Sequence, residues 1–388
     1  MKLFFTSLFF FYAVLSLGQT NSWIRINQLG YTPQGLKIAV WCSKEAQPLS
    51  SFQLIDSATN KIVFTGKASK AYGAYGPFQQ TARLNFSAFT KEGIYYLKAG
   101  TAVSPSFKIN KDVYKGAADF CLRYMRQQRT GFNPFLNDSC HTHDGYTLYG
   151  PMQDSTYVDV VGGWHDASDY LQYVTTSANA TYHLLMAYRD FSKVFGDEKL
   201  ANGLEGKNGT ADVLDEARWG LDWLLKMHPQ PDWMFNQIAD DRDHMGMRIP
   251  KEDSFYNRGF ERPVYFVSGA PQQRGKFMNN TTGTSSTAAK FSSAFALGSQ
   301  VYRTIDTNYS SRLFQKASTA YSFALKKPGV TQTASVRAPY IYEEDNWVDD
   351  MELALAANAA LYKTNGTKQL TYQTQTGYPS SPEQFIGD

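Results

Sequence analysis

The hydrophobic period changes once along this chain, at Asn110-Lys-Asp-Val113, and that change sets what each side of it can fold into. Before it, Leu36-Lys-Ile-Ala-Val-Trp41, Phe52-Gln-Leu-Ile55, Lys61-Ile-Val-Phe64 and Ile94-Tyr-Tyr-Leu97 are short, alternating runs separated by Pro, Gly and Asn clusters. Period-two runs of this length read as half-buried strands, and their spacing predicts a β-sandwich of about seven strands over residues 22–109. After it, apolar residues recur at helical spacing. Helices are expected near 113–128, 170–194, 211–227, 286–304, 310–326 and 347–363, within a second domain covering 110–388. In the third, Val213, Leu214, Ala217, Leu221, Leu224 and Leu225 form one apolar face, with Asp212 as the expected cap. The fifth and sixth are rich in Ala and Ser, which lets neighbouring helices approach closely. Long loops intervene, notably 229–285, and loops on a helical scaffold are where binding residues usually sit.

Residues 1–18 read as a signal peptide: Lys2 gives the positive start, Leu3 to Leu17 are mostly apolar, and Ser16-Leu17-Gly18 supplies small residues for cleavage. The apolar run is short for a membrane span and no other follows. A secreted or periplasmic mature protein with no membrane contact is therefore expected. A net charge of +3 with 19% charged residues gives no reason to expect nucleic acid or an anionic membrane as partner.

The run Gly162-Gly-Trp-His-Asp-Ala-Ser-Asp-Tyr170 concentrates the chemistry. Asp166 and Asp169 stand three apart, ahead of a helical pattern, so that both carboxylates can face one side of a turn. There they can share one water, one acid orienting it and the other taking its proton. A helix start would hold such an Asp ionised. Gly162 and Gly163 free the backbone for a sharp entry, and Trp164 offers a flat face for a sugar ring. The plainer reading of the same spacing is a helix cap with a second acid nearby.

This run resembles the signature of glycoside hydrolase family 9, the inverting cellulases and related β-glucanases. Ile24-Arg-Ile-Asn-Gln-Leu-Gly-Tyr31 is similar to the opening strand of the immunoglobulin-like module that precedes many of their catalytic domains. Asp215–Met227 and Asn346-Trp-Val-Asp-Asp-Met-Glu-Leu353 resemble later helices. Ser168 departs from the usual Gly. The resemblance implies an immunoglobulin-like β-sandwich followed by an all-α (α/α)6 barrel, acting as a monomer on cellulose or a related β-glucan. It implies Asp169 as base, with Asp166 helping to hold the water. An acid on the opposite face would stand roughly 6.5–9.5 Å away in an inverting enzyme. His244 resembles the family's sugar-contacting histidine, although Met247 and Arg248 stand where many members carry paired tryptophans. The family's acid is a Glu in a later segment with no counterpart here. Glu343, Glu344 and Glu352 come too early, and Glu383 lies in no matching context. A twelve-helix barrel is expected to be incomplete in this chain, which would then lack hydrolase competence. The rival class is a non-catalytic glycan-binding protein on a glycosidase scaffold.

Two cysteines bear on a metal. Cys121, Cys140, His141 and His165 match the layout of a structural zinc site in family members that carry the immunoglobulin-like module; two thiolates and two imidazoles suit a closed tetrahedral set. A Cys121–Cys140 disulfide is the alternative for an exported chain. A catalytic metal on His141, His143, Asp144, His165, Asp166 and Asp169 is another, and it leaves the cysteines without a role. Calcium is a further candidate cation, with no ligands assigned. Cys42 reads as a buried strand residue.

Overall fold

Alternating side chains build the first unit, which ends at Lys115. The computed structural model describes residues 21–364 except 168, 245, 247 and 338–341; the expected signal peptide, Ser168, Met247 and Glu383 lie outside the described residues. In chain order the strands are β1 (Ser22–Arg25), β2 (Ile38–Ser43), β3 (Ser51–Asp56), β4 (Ile62–Lys67), β5 (Gln80–Asn85), β6 (Gly93–Ala99), β7 (Ala102–Val103) and β8 (Phe107–Ile109). One antiparallel sheet has the order β1-β2-β5; the other runs β4-β3-β6-β7, with β8 also pairing β6. Ile24, Trp41 and Leu84 from the first meet Phe52, Leu54, Tyr95 and Leu97 from the second in one core. That is a sandwich, each strand giving alternate residues to the interior. Cys42 is buried on β2, as expected.

The second unit begins at Gly116. Its helices are α1 (Ala117–Gln127), α2 (Val174–Phe191), α3 (Asp212–Met227), α4 (Ser285–Tyr302), α5 (Thr307–Lys326) and α6 (Val348–Thr364). The expected apolar face of α3 is wholly buried. Asp212 does not cap it: Ala211 holds that position, while the Asp212 carboxylate accepts the Glu198 and Lys199 N–H groups. The small residues that matter most lie on α4, which packs against α2, α5 and α6 and is buried almost all round. Its Ser285, Ser292 and Ser299 hydroxyls donate to the α5 carbonyls of Ala324, Ala317 and Ser310 at 2.8–2.9 Å. Serines two helical turns apart thus bring the two backbones together while satisfying their own hydroxyls.

This unit is not purely helical. Short strands β9 (Gly131–Asn133), β10 (Asp138–Cys140), β11 (Tyr146–Leu148), β12 (Gln172–Tyr173), β13 (Phe235–Ile238) and β14 (Pro263–Phe266) interrupt it. β9 and β10 pair antiparallel, and the others form a sheet ordered β11-β14-β13-β12. The segment expected as a loop over 229–285 therefore supplies two sheet strands. No helix among the described residues is long and apolar enough to cross a membrane.

Candidate active site

The motif loop is hung between two backbone segments. Thr130 N–H donates to the Gly163 carbonyl at 2.9 Å, His165 N–H to Gln128 at 2.8 Å, and Asp166 N–H to Leu171 at 2.7 Å. Gly163 sits at φ +73, and a Cβ built there would lie 2.6 Å from the Trp223 ring. Gly163→Ala combines left-handed strain with overpacking, a cost of roughly 2–6 kcal/mol. A parent-like urea midpoint for this variant would refute that reading.

The two aspartates do not sit at a helix start, as the sequence pattern suggested. Tyr173 is the N-cap of α2, and Asp166 and Asp169 lie in the turn that leads into β12. Each is half-buried and differently engaged. Asp166 accepts the Thr176 hydroxyl on Oδ1 at 2.6 Å and the Tyr342 hydroxyl on Oδ2 at 2.9 Å. Asp169 Oδ2 stands 2.7 Å from His244 Nε2, and its Oδ1 has no hydrogen bond among the described residues. His244 is thus brought to the motif. Thr176 and Tyr342 were not foreseen; the latter lies 176 positions from Asp166, beyond any local pattern.

Trp164 is a correction. It is 3% exposed and donates its indole N–H to Glu216 at 2.8 Å, so it presents no open face to a sugar. Glu216 is fully buried and also holds Arg129, at 3.2 and 2.7 Å. Trp164 belongs to the floor beneath the carboxylates. A pocket of about 130 Å³ beside Asp166 is lined by Tyr124, Gln128, Trp164, His165 and Thr176 among others. Larger cavities, about 750 Å³ in the first unit and about 580 Å³ beside α1, contain neither motif carboxylate.

Behind the loop, Cys140, His141 and His165 bring one donor atom each within 4.8 Å of one another, all buried. His165 Nε2 is 3.0 Å from His141 Nδ1, and His141 Nε2 is 3.2 Å from the Asp253 carboxylate. Burial lowers both imidazole pKa values and pushes the Cys140 thiol up to about 11. Both rings are therefore neutral near pH 7, the form that ligates metal. Asp253 also receives Arg248 at 3.0 Å, and Arg248 pairs with Asp243, the neighbour of His244. Cys121, the other expected ligand, is exposed on α1, whose buried residues are Leu122 and Arg126. Neither cysteine is in a disulfide. The catalytic-metal alternative is not assembled either: His143 is exposed, and Asp144 is bound to buried Arg262 at 2.7 and 2.8 Å.

The model of glycosyl hydrolase family 9 matches residues 114–385. The chain belongs to glycosyl hydrolase family 9. Ahead of the family 9 domain, the cellulase N-terminal Ig-like domain matches residues 19–104. Relatives include the xyloglucan-specific endo-beta-1,4-glucanase of Bacteroides ovatus, 30% identical over 79% of this chain and 51% of its own length. Endoglucanase D of Acetivibrio thermocellus is 26% identical over 90% of this chain and 53% of its own. The chain thus spans about half the length of the curated relatives it matches. Among solved structures, a metagenome-derived family 9 endoglucanase superposes with a TM-score of 0.72 at 23% identity, covering 94% of this chain and 71% of that one. The Zn-binding triple mutant of family 9 endoglucanase J30 gives 0.70 at 22%, covering 86% and 60%. At such identities these superpositions speak for the fold alone.

Proposed function

We propose that this chain carries the water-activating side of an inverting β-1,4-glucan hydrolase, exported from the cell and built on an (α/α)6 barrel. The observation that carries this is the unequal engagement of the two motif carboxylates. Both oxygens of Asp166 accept hydroxyl protons, which fixes the carboxylate in place. Asp169 has one oxygen held by His244, and the other, buried and without a hydrogen bond among the described residues, is left to take the proton of a water admitted to the site. Asp169 is then the base and Asp166 its partner in holding the nucleophile, with His244 set to orient the base and to meet the sugar. Water attacks the anomeric carbon and its proton passes to Asp169, while the departing oxygen takes a proton from a separate acid on the opposite face and the glycosidic bond breaks with inversion. The B. ovatus relative's name points to a decorated β-1,4-glucan as one substrate to test.

No acid is assigned. Glu344 is engaged elsewhere: its Oε1 takes Lys290 Nζ at 2.6 Å and the Thr175 hydroxyl at 2.8 Å. Glu343 is exposed and Glu352 lies on α6. The test is to incubate the protein expressed from its gene with xyloglucan, carboxymethylcellulose and mixed-linkage glucan and follow the anomeric protons. The first product should be the α-anomer. A β-anomer first would refute the mechanism, and tight binding without cleavage of all three would favour the glycan-binding alternative.

The same reading includes a structural zinc. Cys140, His141 and His165 fit three corners of one, with Asp253 bonded to the far nitrogen of His141, as ligating histidines commonly require. When bound, zinc would tie the end of β10 to the motif loop. Cys121 does not fit the fourth corner.

A further inference from the structure

We infer that Thr130, and not a cysteine, stands at the fourth corner of this site, so that the chain offers zinc only three protein ligands. The inference rests on the zinc reading above and corrects the ligand set that family resemblance implied.

Three observations place Thr130 there. The segment 128–130 lies between the two stretches that carry the donors: it bonds to the 163–165 stretch through Thr130 N–H and Gln128 C=O, and its continuation pairs Gly131 with Cys140. The Cys140 thiol lies 3.9 Å from the Arg129 carbonyl. Arg129 bridges to Trp164, and both of these side chains reach Glu216 on one face. Thr130 and His165 flank that bridge, and each gives one of the backbone N–H groups that join the two segments. Finally, Thr130 is fully buried, and its hydroxyl has no hydrogen-bond partner among the described residues. A buried hydroxyl left unpaired is unfavourable, and such groups in native proteins call for an account. A place beside a cation or its bound water supplies one.

The consequence is chemical. Structural zinc is closed by four thiolate, imidazole or carboxylate ligands, and a neutral threonine hydroxyl is none of these. Three ligands leave a position for water, so the metal exchanges more readily. Threonine and cysteine are close in size, so Thr130→Cys should complete the set without enlarging the core.

The test compares zinc content by elemental analysis, and affinity by competition with a chromophoric chelator, in the parent, Thr130→Cys, Cys121→Ser and Cys140→Ser. Thr130→Cys should bind one zinc at least about 100-fold more tightly, since even an outer-shell partner is worth 10–100-fold. Cys121→Ser should match the parent, and Cys140→Ser should bind more weakly. The inference is overturned if Cys121→Ser loses zinc as Cys140→Ser does, or if Thr130→Cys binds no better than the parent. If Thr130→Cys does not fold, the Cys121→Ser comparison decides alone. Zinc in Thr130→Cys but none in the parent upholds the corner and removes only the resident zinc; no zinc in any variant overturns both.

Discussion

Asp169→Asn, made in the protein expressed from its gene, should keep the fold and the glucan affinity while kcat falls by about 10²–10⁴-fold, the usual contribution of a positioned base. The amide is nearly isosteric and its oxygen can still face His244 Nε2, now 2.7 Å from the carboxylate. What it cannot do is accept the proton of the attacking water. Asp166→Asn should act differently. Both Asp166 oxygens receive hydroxyl protons from Thr176 and Tyr342, so an amide NH2 would face a hydroxyl already oriented as a donor. Its loss should be smaller and accompanied by some loosening of the loop. Parent-like hydrolysis by Asp169→Asn would show that the roles are misassigned.

Glu216→Ala should destabilise the second unit by about 3–5 kcal/mol, the cost of breaking a buried ion pair from one side. Glu216 is fully buried, and it answers Arg129, which is also fully buried, the Trp164 indole and, at 3.6 Å, Arg126. Removing it strands the Arg129 guanidinium and the Trp164 indole N–H beneath the motif loop, while Arg126 keeps Asp212 at 3.3 Å. Glu216→Gln should cost less, because an amide oxygen can still accept from Trp164. Urea unfolding monitored by tryptophan fluorescence measures this directly, and an unchanged midpoint for the alanine variant would refute it.

Much of this architecture was legible in residue order. A 3.6-residue period is robust over 11 to 20 residues, and all six expected helices are present with shifted ends. Strands such as Gln172–Tyr173 and Tyr146–Leu148 are too short to show any alternation, so the sheet of the second unit was invisible. The pairing of Asp166 with Tyr342 and of Trp164 with Glu216 depends on tertiary contact across 176 and 52 positions. Trp164 misled for that reason: an aromatic ring in a carbohydrate motif can stack on sugar or brace the loop, and only its indole partner tells which. Cys121 misled by helical phase. It is one residue from buried Leu122, about 100° round the helix, and that rotation carries it out to solvent.

Arg248 reaches backward to the Asp243 carbonyl and forward to the Asp253 carboxylate, each five residues away, and the Tyr170 hydroxyl donates to its own carbonyl at 2.6 Å. Arg248 thereby closes a loop on either side of itself, one of them around His244. The entropy of that loop is surrendered when the chain folds and not when a polysaccharide arrives. In the proposed reading, a glucan would meet a histidine already in place, and the energy of its contacts would be left for distorting the sugar toward reaction.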